Sequence, residues 1–333
     1  MTVLVVGLNQ TLDRTVRLPA LATGQVLRAT DAVLTPGGKA VNVCRAARTL
    51  GCPALLVGPF PGRLGRLATE LLDEEGLAVS AVPVDGELRG TTVIIEATGR
   101  TTVINEPGPP LTAQEWGDVM EAVAAALGTG AFVAISGSLP PGAAEGTHRR
   151  LVELVHERGG TVAVDVTGPR LIEAAAAGAD LVSPNVVEAE EALGIGPTTR
   201  DGGGGEAVDF DEVDAVDVSE RSRAAALALV ELGAGTVLVS AGHHGVACRS
   251  ADLDTFVPAP VVVVANPIGA GDALLGATLV ALEQGLDLEA ALCAGVAYAA
   301  ASVAHPVAGC ADPALVEQLR ANVAAQPAGG RTS

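Results

Sequence analysis

Short apolar runs alternate along the chain with longer stretches of helical periodicity. The runs are continuous, as expected for strands buried on both faces of a sheet, and they lie at 2–8, 54–60, 132–138, 161–166, 180–185 and 236–242. Apolar residues three and four positions apart predict helices at 39–51, 65–76, 113–128, 148–159 and 222–233. This order predicts right-handed β–α–β crossovers. We therefore expect an α/β fold with helices on both faces of a mostly parallel sheet.

Two segments break this alternation. Residues 91–108 contain no helical pattern and predict two strands around a tight turn at Ala97–Arg100. Residues 25–38 are also rich in β-branched side chains. We expect them to form a small second sheet, a lid over the ligand site made from segments of about 10–36 and 87–108. The alternative is an irregular extension of the main sheet's edge.

The remaining segments favour a single domain over residues 1–325. Residues 195–218 combine four consecutive glycines with many acids, which predicts a flexible, solvated loop. Residues 326–333 are expected to be a disordered tail. The alanine-rich stretch 290–304 is short for a membrane span and predicts a buried core helix.

Composition and charge exclude several partners. The chain has 20 basic and 39 acidic residues, a formal net charge of -19, which argues against binding nucleic acid or an anionic membrane surface. The five cysteines have neither disulfide-framework nor zinc-site spacing. The first residues lack the basic region of a signal peptide. These features predict a cytoplasmic protein.

A single acid, Asp272, follows two glycines in the stretch 261–276. The pattern predicts a strand at 261–264, a loop, and a helix that begins near 270–272. Gly269 and Gly271 would let backbone amides at the helix start approach an anion closely. A carboxylate beside such a site can accept a hydroxyl proton as that oxygen attacks a phosphate. The alternative is that Asp272 only caps the helix.

Several motifs, taken in order, resemble the PfkB, or ribokinase-like, family of sugar kinases. Within that family, they resemble the branch of 1-phosphofructokinase and tagatose-6-phosphate kinase. The resemblance runs from Thr2 to about residue 305. The motifs are LNQTLDRTV (8–16), PGGKAVNVCRAARTLG (36–51), NEPGPPLT (105–112), ISGSLPPG (135–142), PNVVEAEEALG (184–194) and GAGDALLGATLVAL (269–282).

The resemblance implies a ribokinase-like three-layer sandwich and an ATP-dependent, Mg²⁺-requiring kinase. It implies that Asp272 is the catalytic base and that the amides of Gly269, Ala270 and Gly271 form the anion hole. It implies further site residues on three segments. These are Gly37, Gly38, Lys39 and Asn42 for the sugar, Asn185 and Glu188 for Mg²⁺ and the ATP phosphates, and Ser240, Gly242 and Gly245 beside the nucleotide.

The residue chemistry agrees with these roles but leaves alternatives open. Lys39 and Arg89 are cations flanking the expected lid, and together they could hold a sugar phosphate; either could instead be a surface charge. Asp13 and Asn42 supply an acceptor and an amide for sugar hydroxyls, or are a turn residue and a helix-face amide.

The expected nucleotide side also has simpler explanations. Asn185 and Glu188, three positions apart, face one phosphate–metal cluster or simply form an ordinary first helical turn. His243 and His244 are expected to point apart into solvent.

Three positions depart from the family pattern. Ala40 stands where glycine is usual, which would tighten the sugar side of the pocket, and Gln10 stands where proline is common. Pro267 replaces a threonine before the anion hole, removing one donor and stiffening the loop.

The leading hypothesis is phosphorylation of fructose 1-phosphate to fructose 1,6-bisphosphate. Tagatose 6-phosphate and fructose 6-phosphate are rival substrates. A kinase of an unphosphorylated sugar or nucleoside, and a non-catalytic sugar-phosphate-binding regulator, remain open. A dehydrogenase is disfavoured because the first strand lacks the G-x-G-x-x-G turn. A homodimer formed through the lid is a further hypothesis.

Overall fold

The structure, a computed structural model, describes residues 2–195, 215–323 and 326–327. The strands are β1 Val3–Val6, β2 Thr11–Leu18, β3 Asp31–Gly37, β4 Ala54–Pro59, β5 Ala78–Val82, β6 Arg89–Glu96, β7 Thr101–Asn105, β8 Phe132–Ser136, β9 Thr161–Asp165, β10 Leu181–Val182, β11 Thr236–Ser240, β12 Gly245–Ser250, β13 Asp254–Pro258 and β14 Gln326–Pro327. The helices are α1 Lys39–Thr49, α2 Gly62–Glu74, α3 Ala113–Ala126, α4 Thr147–Glu157, α5 Pro169–Ala176, α6 Val186–Leu193, α7 Ala215–Glu231, α8 Ala270–Glu283, α9 Leu288–Val303 and α10 Pro313–Arg320.

The main sheet, within the described part of the chain, has the order β14-β13-β12-β11-β10-β9-β8-β1-β4-β5. The seven strands from β11 to β5 run parallel, and β12 to β14 continue the sheet in antiparallel fashion. The predicted α/β fold with a mostly parallel central sheet is confirmed.

The two faces of this sheet carry separate hydrophobic cores. Successive strand residues point to opposite faces, so Val3 and Val5 of β1 pack with α1, α2, α8 and α9. Leu4 and Val6 pack with the helices α3 to α7 on the other side. Continuous apolar runs are needed because both faces are covered. The predicted three layers are therefore confirmed.

A second, four-stranded sheet has the order β3-β2-β6-β7. The hairpin predicted in 91–108 is present, and Glu96 donates its amide to the Arg100 carbonyl at the turn. The segment 25–38 contributes β3, but it does not pair directly with the hairpin. β2 lies between them, antiparallel to β3 and parallel to β6. The second sheet is confirmed, and its action as a lid stays a prediction.

The prediction of a strand at 261–264 is wrong. This segment has no strand pairing, and Val261 and Val263 are 99% and 89% exposed. The last strands before α8 are instead β12 and β13, a hairpin that the sequence analysis did not predict. Pro258 ends β13 and Pro260 follows it before the valine run, and a proline lacks the amide that a continuing ladder requires.

Two expected boundaries also differ. Helix α7 begins at Ala215, inside the segment 195–218 that was expected to be a loop, and most of that segment, 196–214, lies outside the described residues. The tail was expected to be disordered from 326, but Gln326–Pro327 pair with β13, whose free edge offers backbone partners. Residues 328–333 lie outside the described part.

The stretch predicted as a core helix corresponds to α9, which is buried against α8. Small residues permit this close packing: a Cβ on Gly295 would lie 2.1 Å from the Thr278 hydroxyl of α8. Among the described residues, no helix combines the length and apolar character that a membrane crossing requires.

The contact between α1 and α8 depends on Gly276. A Cβ there would lie 3.0 Å from both the Val43 carbonyl and the Ala46 side chain of α1. We expect Gly276→Val to force the two helices apart and to destabilise the protein by about 1–3 kcal/mol. Urea denaturation midpoints measure the change.

Gly117 of α3 is the matched control, because a Cβ there would meet nothing within 4 Å. Gly117→Val should leave the midpoint unchanged or raise it slightly, because its Cβ meets no neighbour and valine forms helices somewhat better than glycine. A Gly276→Val midpoint equal to wild type would contradict this account of the interface.

Candidate active site

The candidate site lies at the carboxyl ends of the parallel strands. β1 connects towards β4 on one side and has β8 as its neighbour on the other, so the order of the sheet reverses between β1 and β8. Ligands of open α/β sheets bind in the crevice at such a point. Residues 7–10 follow β1, Gly137 and Ser138 follow β8, and Asp165 ends β9.

Asp272 is buried at the start of α8. The cap position is taken by Gly269, which makes no side-chain cap hydrogen bond, and Asp272 is the third residue of the helix. Its side chain is directed into the protein, where Asn42 Nδ2 donates to Asp272 Oδ2 at 2.8 Å. The geometry therefore does not support the interpretation of Asp272 as a simple cap.

The surroundings of Asp272 make it a proton acceptor suited to neutral pH. Burial, together with the neighbouring Asp165 carboxylate, raises the pKa of Asp272 to about 8. Lys39 and the Asn42 amide act in the opposite direction by stabilising the ionised form. A base with a pKa near the working pH is ionised in part and still holds a transferred proton well.

The backbone before Asp272 is open on one side. A Cβ on Gly271 would meet nothing within 4 Å, whereas one on Gly269 would lie 2.8 Å from Asn42 Nδ2. Gly269 also has a φ of 82°, which favours glycine. The amides of Ala270, Gly271 and Asp272 belong to the first helical turn and have no partner four residues back within the helix. They can therefore bind an anion.

Lys39 lies among carboxylates. Its Nζ is 2.9 Å from Asp165 Oδ1 and 3.8 Å from Glu188 Oε1. Ser136 donates a weaker hydrogen bond, at 3.4 Å, to Asp165 Oδ2. Lys39 was expected to form one phosphate clamp with Arg89, but its ammonium group is held on the side of Asp165 and Glu188.

Asp165 was missed by the sequence analysis. It is 3% exposed and lies within the electrostatic reach of both Lys39 and Asp272. Its position in the sequence could have identified it, since a lone acid at the end of a buried parallel strand faces the ligand crevice.

Asn185 and Glu188 form a capping box at the start of α6. Glu188 donates its amide to Asn185 Oδ1, and Asn185 donates its amide to Glu188 Oε2, both at 2.9 Å. The alternative of an ordinary first turn therefore accounts for Asn185 and for one Glu188 oxygen. The other oxygen, Oε1, faces Lys39. No group of three or more potential metal ligands occurs among the described residues.

The sugar side is formed by the second sheet and the loop after β3. Asp13 Oδ1 is buried without a hydrogen bond of good geometry, and burial raises the pKa of Asp13 against the opposite effect of the nearby Thr11 and Thr91 hydroxyls. A Cβ on Gly37 would lie 2.0 Å from Asp13 Oδ2, and one on Gly38 would lie 2.8 Å from Gln10 Oε1. The two glycines thus let the chain pass directly over these polar groups.

Arg89 lies at the base of the second sheet. It donates from Nε to the Asn9 carbonyl at 3.0 Å and from Nη1 to the Glu106 carbonyl at 3.2 Å. Asn9 in turn donates to the Ser138 hydroxyl at 3.1 Å. Burial lowers the pKa of Arg89, against the effect of nearby Asp13 and Glu106. Arg89 is therefore a fixed and partly buried cation rather than a loose surface charge.

The residues at the end of β11 and after it, which were expected beside the nucleotide, have different structural roles. Ser240 forms an isolated bridge with Asn185, and Gly242–His244 make a single 3-10 turn. A Cβ on Gly245 would lie 2.2 Å from the Val257 carbonyl, so this glycine serves the β12–β13 pairing.

The two histidines do not point apart as expected. The 3-10 turn brings the rings of His243 and His244 to a centroid separation of 4.0 Å.

The structure shows the surroundings of two positions, Ala40 and Pro267, that depart from the family pattern. Ala40 is fully buried and packs against Gly7, so it does not narrow the sugar side. Asn266 Oδ1 accepts from the Ile268 amide, and its Nδ2 donates to the Pro306 carbonyl. Asn266 therefore fixes the loop containing Pro267.

Comparison with known proteins agrees with this geometry. Residues 2–314 match the sequence profile of the pfkB family carbohydrate kinases. The chain is 32% identical to 1-phosphofructokinase of Haloferax volcanii over 95% of both sequences. It is 28% identical to ATP-dependent 6-phosphofructokinase isozyme 2 of Mycobacterium tuberculosis over 91% of this chain and 84% of that protein. The crystal structure of Escherichia coli phosphofructokinase-2 in complex with fructose-6-phosphate is similar with a TM-score of 0.83 at 27% identity, covering 96% of this chain and 98% of that one.

Lys39 is the only lysine in the sequence, so its reactivity can be followed without interference from other side-chain amines. Burial alone would lower its pKa, but the Asp165, Glu188 and Asp272 carboxylates raise the pKa of Lys39 well above its ordinary value. We expect acetic anhydride at pH 9 to modify Lys39 much more slowly in the folded than in the unfolded protein. Peptide mass spectrometry measures the rate.

Asp165→Asn should accelerate this acetylation, because it removes the carboxylate nearest to the ammonium group. Asp73→Asn, a change at an exposed position of α2, is the control and should leave the rate unchanged. Equal rates in the Asp165→Asn variant and the wild type would contradict the ion pair.

Proposed function

The chain belongs to the pfkB family of carbohydrate kinases, and on this premise we propose that it phosphorylates fructose 1-phosphate with ATP to give fructose 1,6-bisphosphate. One observation carries the proposal: a buried carboxylate, Asp272, with a pKa raised to about 8, adjoins open amides at a helix start. This combination provides a proton acceptor and an anion site within one helical turn.

The proposed reaction is a single in-line transfer. The sugar hydroxyl oxygen forms a bond to the γ-phosphorus of ATP while the bond from that phosphorus to the bridging oxygen breaks, releasing ADP. The hydroxyl proton passes to Asp272. The amides of Ala270, Gly271 and Asp272 stabilise the charge on the transferring group. The small open face of Gly271 lets a phosphoryl group approach the backbone.

Lys39 is proposed to act on the transferring phosphoryl group rather than on the substrate's own phosphate. Its ammonium lies with Asp165 and Glu188, on the side of Asp272, and its side chain is one-third exposed. A compact ammonium on a flexible stem can turn from a carboxylate to an arriving phosphate. The basic residues of this chain are otherwise arginines, which agrees with a requirement for lysine at this one position.

Arg89, Asp13 and the two glycines Gly37 and Gly38 are proposed to bind the sugar phosphate. Arg89 supplies a fixed cation, and Asp13 Oδ1, which lacks a hydrogen bond of good geometry, supplies an acceptor for a sugar hydroxyl. Asn42 completes the site on the side of Asp272. Fructose 1-phosphate leads because the relative with 32% identity is named a 1-phosphofructokinase, whereas the 28% relative is named a 6-phosphofructokinase.

Mg²⁺ is proposed to accompany ATP, with Glu188 as the protein group that faces it. Mg²⁺ keeps several waters and takes only one or two carboxylates beside the nucleotide phosphates, which fits the single available Oε1 of Glu188. When bound, the ion neutralises charge on the ATP phosphates. Ser240 and Gly242, beside Asn185, are proposed to contact the nucleotide.

Assembly and location complete the proposal. The second sheet exposes Val33 and Val103 on one face and Leu34 and Ile104 on the other, so we expect two copies to associate through the lid. The mass in solution tests this, and a monomer at micromolar concentration would contradict it. The five cysteines lack the spacing of a disulfide framework, and Cys44, Cys52 and Cys248 are buried, which fits the reducing cytoplasm.

The role of Asp272 predicts a large loss of turnover in Asp272→Asn, about 10²–10⁴-fold, with ATP affinity retained. In the wild type, kcat/KM should fall as pH drops below about 8, because a protonated Asp272 cannot accept the hydroxyl proton. Initial rates across pH and ATP titration of the variant measure both effects.

Asp287 provides the control, since it is a true helix cap whose Oδ1 accepts the Ala290 amide. Asp287→Asn should keep normal turnover because asparagine caps equally well. If Asp272→Asn behaved like Asp287→Asn, Asp272 would be a structural acid and not the base.

Substrate choice predicts that kcat/KM is highest for fructose 1-phosphate, lower for fructose 6-phosphate and tagatose 6-phosphate, and lowest for ribose and adenosine. Arg89→Gln should reduce kcat/KM for the sugar phosphate by roughly tenfold or more while leaving the KM for ATP unchanged, because one charge-assisted contact is lost. A coupled assay of ADP release measures the panel.

Arg66→Gln, at an exposed position of α2, controls for loss of a positive charge. Higher activity on ribose or adenosine than on every sugar phosphate would replace the proposed substrate class. Sugar-phosphate binding without any transfer would favour a regulator.

A further inference from the structure

Arg45 is a buried arginine whose donors are all used. It lies on α1, is 2% exposed, and makes a two-pronged contact with Glu75 at the end of α2, at 2.7 and 2.8 Å. Nη2 also donates to the Pro36 carbonyl at 2.8 Å. Nη1 donates to Asn42 Oδ1 at 3.2 Å and, more weakly, to the Ala308 carbonyl at 3.4 Å. These five bonds match the five N–H groups of a guanidinium.

The bond from Arg45 to Asn42 fixes which way the Asn42 amide faces. An arginine can only donate, so the amide must turn its oxygen towards Arg45. The Asn42 Nδ2 group is then directed towards Asp272, where it donates at 2.8 Å. In the reversed orientation, the amide oxygen would face Asp272 and would favour the protonated carboxyl.

We propose that Arg45 is a positioning residue that sets the polarity of the Asn42 amide and thereby favours the ionised, proton-accepting form of Asp272. The inference rests on the proposed role of Asp272 as the base. Arg45 itself is buried behind Asn42, and it acts through that amide. Asp165 from β9 and Lys39 from α1 are the charged groups that also face Asp272, and Glu188 reaches the cluster through Lys39.

The same guanidinium joins the catalytic side to the sugar side. The Pro36 carbonyl that it holds belongs to β3, directly before Gly37 and Gly38. The Ala308 carbonyl lies in the loop that packs beside Gly269, where a Cβ would be 3.2 Å from the Ala308 side chain. Of the Arg45 contacts, the bond to Asn42 is the one that leads to Asp272. Removal of the guanidinium should therefore change kcat more than it changes ATP binding.

Arg45→Lys is the main test. Lysine keeps a cation opposite Glu75, which preserves folding, but its shorter reach loses the Nη1 contact to Asn42. The acid limb of the kcat profile, the pH range in which kcat falls as Asp272 becomes protonated, should move up by about one pH unit. At pH values below that range, turnover should therefore fall about tenfold. The KM for ATP should stay within about twofold. Arg48→Met, on the exposed face of the same helix, should keep the wild-type profile.

A double-mutant cycle with Asn42→Ala isolates the route through the amide. In that background Arg45→Lys should add no further shift of the acid limb. A folded Arg45→Lys variant with the wild-type pH profile would overturn the proposal, as would a uniform loss of kcat at every pH. An additional shift in the Asn42→Ala background would also overturn it.

A measurement on the wild type covers the case in which Arg45→Lys does not fold, alone or with Asn42→Ala. The Asn42 side-chain amide signal in ¹⁵N NMR, assigned by its disappearance in Asn42→Ala, should titrate together with the acid limb of kcat. An amide signal that does not change across that limb would overturn the inference. Near-normal turnover in Asp272→Asn would instead remove the base itself, so the two failures are distinguishable.

Discussion

The energetic constraint on this site is the cost of burying the Asp272 carboxylate close to a second acid, Asp165. Two carboxylates in a desolvated place cannot both ionise without compensation. Lys39 provides the charge, at 2.9 Å from Asp165, and Asn42 provides a hydrogen bond to Asp272 at 2.8 Å. The balance raises the pKa of Asp272 to about 8, within reach of neutral pH. The Asp272 carboxylate is therefore more basic than an ordinary aspartate, while Lys39 and Asn42 offset part of the cost of ionising it in a buried place.

The packing of α1 against α8 maintains this arrangement. Both side chains that stabilise the acids, Lys39 and Asn42, lie in the first turns of α1, and Asp272 lies in the first turn of α8. Gly276 lets the two helices approach, and a Cβ on Gly309 would lie within 2.7 to 2.9 Å of Asn42 atoms. The electrostatics of the site therefore require small residues at these contacts, because a wider gap between the helices would break the Asn42–Asp272 hydrogen bond.

Much of the fold could be predicted because burial leaves a strong periodic signal. Continuous apolar runs identified β1, β4, β8, β9 and β11. The same signal failed at 261–264, where an apolar run lies exposed after two prolines, because hydrophobicity alone does not supply a pairing partner. The β12–β13 hairpin was missed for the converse reason, since its mixed residues resemble a surface loop.

The candidate site was predictable where a residue belongs to a compact motif, as Asp272, Asn42 and Lys39 do. Asp165 was not found, because a lone acid after a strand gains meaning only once neighbouring strands bring it to Lys39. The neighbours of Lys39 could not be predicted for the same reason, because the sequence does not show that its ammonium group contacts Asp165 and Glu188. Arg45 carried a weak signal, a charged residue within the buried face of a predicted helix.

The most direct test is a crystal structure of the complex with a non-hydrolysable ATP analogue and fructose 1-phosphate. The account predicts one Asp272 carboxylate oxygen within hydrogen-bond distance, about 2.6–3.2 Å, of the acceptor hydroxyl, with the γ-phosphate over the amides of 270–272. An Asp272 side chain turned away from that hydroxyl, with no water joining them, would contradict it.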